Sequence, residues 1–236
     1  MNSVAARPLP RAQVRDIAQA FLPDHALGNR WDHYYARAKL GSDPLYPGIC
    51  DALRGTTAPV LDLGCGLGLL AHALRAQDLA LPYHGVDNDV RKIERAQRAA
   101  RRAELRDATF DTVDLARTSL REAFAAHRGS VALLDVLQFI PPEAQSRTLD
   151  AAIGMLVPGA KLVIRTGLAD GSGRARVTRA VDVFSRVLGW MNAGPSRYPD
   201  ADDLRARFAA AGLRVDFTPL FGNTPFNNWR VVATRD

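Results

Sequence analysis

From Pro59 onward the apolar positions along the chain switch repeatedly between two periods. Short apolar runs such as Val131-Ala132-Leu133-Leu134 alternate with longer stretches in which apolar residues recur every three to four positions. The runs predict strands at Pro59–Leu63, Tyr83–Val86, Thr109–Val113, Val131–Val136 and Lys161–Thr166. The stretches predict helices at Leu67–Gln77, Asp89–Glu104, Leu115–His127 and Pro142–Leu156. Successive β/α units of this kind build a parallel sheet with crossover helices, the α/β class. Strands apolar on both faces suit a sheet covered on both sides. Two further strands, Leu213–Leu220 and Trp229–Thr234, follow a helix starting near Asp200, whose first turn carries Asp202 and Asp203 against the helix dipole. Phe221-Gly222-Asn223-Thr224-Pro225 supplies the reversal between them, which predicts an antiparallel hairpin.

Two regions lie outside this pattern. Residues 1–55 read as short helices, one of them amphipathic through Val14, Ile17, Phe21 and Leu22, and residues 166–200 carry a helix from about Arg176 to Met191. The expected organisation is a domain over residues 56–236 with an N-terminal helical lid at 1–55 and a cap insertion at 166–200.

Composition narrows the class. The 236 residues, 47% hydrophobic and 24% charged, suit one α/β domain with a full core. No apolar stretch approaches the roughly 20 residues of a membrane helix, and Met1–Arg15 lacks the apolar segment of a secretory signal, so a cytoplasmic location is expected. The net charge of +6 comes almost wholly from arginine, since only Lys39, Lys92 and Lys161 are lysines. With so much alanine, that reads as coding bias in a GC-rich genome. The densest basic run, Arg91–Arg106, is interrupted by Glu94 and Glu104 and spaced like a solvated helix face; a polyanion contact is the other reading. Cys50 and Cys65 have neither zinc nor disulfide-framework spacing, and Cys65 sits in a glycine turn that wants a small residue. No metal site is expected.

Candidate chemistry concentrates at strand ends. In Val60-Leu61-Asp62-Leu63-Gly64-Cys65-Gly66-Leu67-Gly68 a strand runs into glycines at alternate positions and then a helix. Glycine there lets a ligand approach the backbone with no Cβ in the way, across the carboxyl end of the strand where open α/β sheets bind. The spacing differs from the G-x-G-x-x-G of dinucleotide enzymes, and Asp62 before it suits a cationic amino group better than a diphosphate. The next strand ends at Asp87, about 23 residues after Gly64, where a carboxylate can take both hydroxyls of a ribose. Asp114 is placed either to accept from an adenine amino group or to cap the following helix.

The segments VLDLGCGLG, YHGVDND, FDTVDL, LLDVLQFIPPE and LVPGAKLVIRT, in this order from Val60 to Thr166, resemble the class I S-adenosylmethionine-dependent methyltransferases, and GLRVDF with WRVVATR fits that family's closing hairpin. The resemblance implies a Rossmann-like, mostly parallel seven-stranded sheet with its last strand antiparallel. It implies S-adenosylmethionine as cofactor, contacted by Asp62, Gly64, Gly66, Asp87, Asn88, Asp114 and Leu115, with Cys65 and Asp135 on the same strand ends added to the set. It does not identify the acceptor. YYARAKLGSDPLYPGI and GNTPFNNW resemble, more loosely, small bacterial methyltransferases of aryl-polyene-type pigment biosynthesis, which would imply O-methylation of an aromatic head group, possibly on an acyl carrier protein.

Methyl transfer from a sulfonium proceeds by in-line displacement, so positioning matters more than a covalent intermediate, and a base is needed only for an acceptor that arrives protonated. The segment after the fourth strand, Asp135-Val136-Leu137-Gln138, lacks the Asn/Asp/Ser-Pro-Pro-aromatic loop of nucleic-acid amino methylases, and no cysteine stands there for cytosine chemistry. A small-molecule hydroxyl or carboxyl is therefore the expected acceptor, with a nitrogen still open and with RNA methylation or non-catalytic cofactor binding as alternatives. Candidate catalytic groups are His33, Tyr35 and Gln138; candidate substrate contacts are Tyr34, Lys39, Arg165, Arg174 and Asn227. Arg176, like Arg165 and Arg174, is placed to hold an anionic group, and Trp190-Met191 and Pro225-Phe226-Asn227-Asn228 to wall an aromatic substrate.

Overall fold

The computed structural model describes residues 7–25, 27–168, 198–220 and 227–236. Seven strands form one sheet: β1 (Val60–Leu63), β2 (Tyr83–Asp87), β3 (Ala108–Thr112), β4 (Ser130–Leu134), β5 (Lys161–Gly167), β6 (Arg214–Pro219) and β7 (Asn228–Thr234). Their order is β3-β2-β1-β4-β5-β7-β6. All pairs from β3 to β5 are parallel; β7 runs antiparallel to both β5 and β6. The expected Rossmann-like fold is the observed one. Chain order reverses between β1 and β4, which opens a crevice at the carboxyl end of β1.

Helices cover both faces. On one lie α1 (Arg11–Gln19), α2 (Trp31–Ser42), α3 (Leu45–Leu53), α4 (Leu69–Ala76) and α5 (Val90–Arg102), whose buried residues share a core with Val60, Tyr83 and Val163. On the other lie α6 (Leu120–Ala123), α7 (Pro142–Met155) and α8 (Ala201–Ala210), packed with Leu61, Leu63, Leu133 and Ile164. The segment before β1 is built into the sheet. Lys161 of β5 donates to the carbonyls of Ala52 (2.6 Å) and Arg54 (3.0 Å), and Arg230 of β7 donates to that of Gly48 (2.8 Å). The amphipathic face expected through Leu22 is shorter: Val14, Ile17 and Ala18 are buried on α1, and Phe21 is buried in the turn beyond it.

Local chemistry explains most boundaries. Asp89 caps α5 by accepting from the N–H groups of Arg91 and Lys92, and Asp200 caps α8 through those of Asp202 and Asp203. Two expectations are corrected. The helix expected over Leu115–His127 shrinks to Leu120–Ala123. Asp114 accepts from the N–H of Ala116 (2.9 Å) and its carbonyl from that of Thr118 (2.9 Å), a local turn that competes with the helix. The strand expected to reach Val136 stops at Leu134, because Asp135 is left-handed (φ 60°). The helix expected at Arg176–Met191, Arg174, Arg176, Trp190, Met191, the Gly222-Asn223 turn and Pro225-Phe226 lie outside the described residues.

That turn at Asp135 brings Val136 over the glycine loop. Gly64 has φ +87°, and a Cβ there would stand 2.2 Å from Val136 Cγ2. Gly64→Ala should therefore cost about 2–4 kcal/mol, the sum of left-handed strain and overpacking. Urea unfolding measures it, and adding Val136→Ala should recover the packing part but not the strain.

Candidate cofactor and acceptor site

The glycine loop leaves β1 through a double contact: the N–H groups of Gly64 and Cys65 both donate to the Val86 carbonyl, at 2.7 and 2.9 Å. Gly66 is left-handed as well (φ +57°), but a Cβ on it would meet nothing within 4 Å. Gly64 thus answers to protein packing, whereas Gly66 borders open space. Asp87, at the end of β2, faces this loop. Its Oδ2 accepts from the N–H of Gly66 and its Oδ1 from that of Asp89, each at 3.0 Å, which leaves further lone pairs on both oxygens.

Asp62 is only 2% exposed. Tyr83 O–H donates to its Oδ2 at 2.5 Å, while Oδ1 is buried without a partner. Burial pushes this carboxyl up, Tyr83 opposes and Asp87 adds to it, and the balance lies at about 7. A buried carboxylate oxygen lacking a donor, beside a loop with room for a ligand, fits the ammonium end of S-adenosylmethionine. Tyr83 was not foreseen as a site residue. The available signal is its position two residues before Gly85, on the same face of β2. Gly85 leaves space for the Tyr83 ring and the Cys65 sulfur, each of which would lie 2.9 Å from a Cβ there. Cys65 is thereby accounted for sterically, and burial followed by Asp62 and Asp87 holds its thiol well above the ordinary value, so it is no thiolate nucleophile.

Beyond β4 the site is ionic. Arg165 of β5 is 4% exposed and pairs through Nη1 with Asp43 Oδ2 (2.6 Å) and through Nε with Asp135 Oδ1 (3.0 Å). Lys39 pairs with the same two carboxylates, at 2.8 Å to Asp43 and 3.5 Å to Asp135. Burial raises the Asp43 carboxyl, yet Arg165 and Lys39 outweigh it and bring it to about 2. Burial and Arg165 push the Lys39 ammonium down, but Asp135, Asp43 and Tyr35 leave it above its ordinary range. Asp43 was not foreseen; its signal is the i, i+4 spacing from Lys39.

At its other end α2 is tied to α5 by Asp32 and Arg95 (3.0 Å). From Asp32 to Asp43 a helix rises about 16 Å, close to the roughly 14 Å spanned by three strand spacings from β2 to β5. These ties anchor α2 to α5 at one end and to β5 at the other. Tyr35, on the flank shared by Asp32 and Lys39, stands half-exposed between the two anchors. Tyr46 of α3, also unforeseen, is 7% exposed. Burial keeps its hydroxyl protonated, with Tyr35, Asp43, Asp135 and Asp62 acting in the same direction, which places it among those groups.

The remaining candidates divide. Gln138 is buried and accepts from the Thr166 hydroxyl (3.2 Å). Asn88 is exposed beside Asp87, Leu115 belongs to the core under α6 and α7, and Asp114 is engaged as the turn cap and with Arg117. His33 is turned away from the crevice: its Nδ1 is 2.8 Å from the Ala18 carbonyl of α1. Tyr34 is 57% exposed, edge-on to the His33 ring, on the opposite flank of α2 from Lys39. Asn227 is buried, donating to the Leu168 carbonyl (3.1 Å) and accepting from Trp229 (3.1 Å). Arg165 is enclosed and shared between two carboxylates, an arrangement of support rather than of contact with an anionic ligand. A groove of about 810 Å³ between α7 and α8 contains none of the glycine-loop residues. Among the described residues no three His, Cys, Asp or Glu group as a metal site, and no helix is long and apolar enough to cross a membrane.

A Rossmann-like sheet with a glycine loop and carboxylates at successive strand ends defines a nucleoside-binding α/β protein. Residues 24–216 match the methyltransferase domain family, and the chain belongs to that family, within the class I S-adenosylmethionine-dependent methyltransferases. Solved structures share the fold. An O-methyltransferase family protein from Burkholderia thailandensis aligns at a TM-score of 0.59 and 19% identity over 86% of this chain; the chain spans 60% of that protein's length. Magnesium protoporphyrin IX methyltransferase from Synechocystis PCC 6803, solved with bound S-adenosylmethionine, aligns at 0.59 and 17% identity over 100% of both chains. The pyocyanin biosynthetic protein PhzM aligns at 0.61 and 15% identity over 93% of this chain and 62% of its own. No curated protein sequence matches the chain.

The ionic cluster makes an acid-stability prediction. Because the Asp43 carboxyl is depressed on folding, its contribution is complete above about pH 4 and is lost as pH falls toward about 2. Asp43→Asn should be destabilised at pH 7, since it leaves Arg165 with one carboxylate, by about 3–5 kcal/mol. Its stability should fall less steeply than the parent's between pH 4 and 2, as followed by urea unfolding across that range.

Proposed function

We propose that this chain transfers a methyl group from S-adenosylmethionine to a hydroxyl of a small aromatic substrate, free or held on an acyl carrier protein. One observation carries the reading. Where the strand order reverses, Gly66 borders open space and donates to Asp87, and Asp62 on the strand that leads into the loop keeps an oxygen without a donor. Family membership supports it, as does the likeness of the fold to a methyltransferase solved with S-adenosylmethionine.

Bound there, S-adenosylmethionine supplies a sulfonium methyl open to in-line attack with no covalent enzyme intermediate. Asp87 holds the ribose hydroxyls on its free lone pairs, and Asp62 accepts from the ammonium through Oδ1. Gly64, Cys65 and Gly66 form the floor, while Asn88, Asp114 and Leu115 border the adenine. Asp135 and Lys39 stand at the acceptor's side, where their mutual pairing fixes them. The α2 helix excludes water and holds the acceptor in line, and positioning of this kind is worth about 7–11 kcal/mol. Tyr35 and the amide of Gln138 orient the acceptor oxygen. We assign no chemical role to His33, at the Ala18 carbonyl, to Tyr34, against the His33 ring, or to Asn227, which donates to the Leu168 carbonyl.

Titration calorimetry with S-adenosylhomocysteine tests the binding half. Asp87→Ala should weaken affinity by about 10–100-fold, the loss of charge-assisted hydrogen bonds to the ribose; unchanged affinity would remove that assignment. Incubating methyl-labelled cofactor with extract from a strain lacking the protein tests the transfer half. Label is expected in a small-molecule or carrier-protein fraction. Label in RNA would establish the other acceptor class, and binding without any transfer would mark a non-catalytic binder.

A further inference from the structure

Asp62 lies in the middle of the sheet, yet its two oxygens are treated unequally. Tyr83 clamps Oδ2 at 2.5 Å, and Oδ1 is enclosed with no donor. Among the described residues, the groups facing it offer no positive charge. From β2 come Tyr83 and Asp87, from the glycine loop Cys65, and from α3 Tyr46, while its register partner on β4 is Ala132. Lys92 of α5 acts on Cys65 rather than on Asp62. A carboxylate so placed carries an unmatched charge in a buried site, and the cheaper state of the free protein puts a proton on the orphan oxygen. A ligand ammonium reaching the same oxygen removes the need for that proton.

On the reading that this crevice takes S-adenosylmethionine, the geometry points to Asp62 as a proton-exchange group whose orphan oxygen holds a proton until the ligand's ammonium replaces it, with Tyr83 as the positioning residue. The exchange balances simply. The carboxyl O–H bond breaks, its proton leaves to solvent, and an ammonium N–H donates to the freed Oδ1; the ammonium keeps its own charge. Tyr83 holds the carboxyl plane so that Oδ1 faces the ligand, and its O–H favours the ionised form. A nucleoside lacking the amino group cannot make the exchange, so the device also selects for the amino acid end of the ligand.

The sign follows from the carboxyl balanced at about 7. The ligand binds the ionised form, so affinity is complete above that pH and is lost as pH falls below it. The test is titration calorimetry of the intact protein with S-adenosylhomocysteine, in pairs of buffers of different ionisation heat, at pH 6, 7 and 8. Proton release per ligand should be largest at pH 6 and fall as pH rises through about 7, with affinity weakening as pH falls below it. Tyr83→Phe should move this profile to higher pH, and Asp62→Asn should abolish it. 5′-Methylthioadenosine, which has no ammonium, should bind without proton release. Tight S-adenosylhomocysteine binding with buffer-independent heats across this range would overturn the exchange and leave the cofactor reading intact. Release that persists in Asp62→Asn would overturn it too. No S-adenosylhomocysteine binding at any pH would remove the cofactor reading itself, and the exchange with it.

Discussion

A guanidinium enclosed at the end of β5 cannot be left without counter-charge, and much of the site follows from how Arg165 is satisfied. Burial of a lone cation there would cost several kcal/mol. Asp43 and Asp135 approach it from α2's end and from β4's end, and Lys39 balances the second negative charge. Asp135 meets Arg165 twice, by side chain and by donating its N–H to the Arg165 carbonyl at 2.8 Å. It does so in a left-handed conformation that ends β4 and carries Val136 over Gly64. The same cluster holds the C-terminal end of α2, while Arg95 holds the other. Apolar packing alone would not set that path, because the buried residues of α2, His33, Ala36 and Leu40, form only one face of it.

The crevice at the glycine loop has the opposite electrostatic character. Where Arg165 and Lys39 are matched by two carboxylates, Asp62 and Asp87 have no cation paired with them among the described residues. Ion pairing on one side ties down the C-terminal end of α2. The uncompensated acid on the other favours a ligand that brings a cationic group. The two halves meet near Tyr46, a neutral hydroxyl acted on by carboxylates from both.

Most of the scaffold was legible because it rests on local period. Strands β1 to β5 are apolar runs, and α4, α5 and α7 show helical spacing, so their existence needed no knowledge of neighbours. The failures were equally local in cause. At Leu115–His127 an apolar period hid the competing turn made by the Asp114 side chain, and the run through Val136 concealed a backbone reversal demanded by an ion pair more than twenty residues away. Gly64, Gly66, Asp62 and Asp87 could be read as a site because each depends on its own strand end. His33 and Arg165 offered functional groups of the same kinds, and nothing near them in the chain says that Arg165 is shared between Asp43 and Asp135 or that His33 meets the Ala18 carbonyl.

By itself, then, the order of residues determined the alternation of elements, the glycine loop and the carboxylates ending β1 and β2, since helical period, strand period and turn chemistry act within a few residues. Only the tertiary structure decided which charged groups neutralise one another and which stay available. That choice depends on burial and on distances between segments far apart in the chain: Asp43 with Arg165, Asp32 with Arg95, Tyr83 with Asp62. Desolvation sets the cost of every charge, and a sequence does not say where water is excluded.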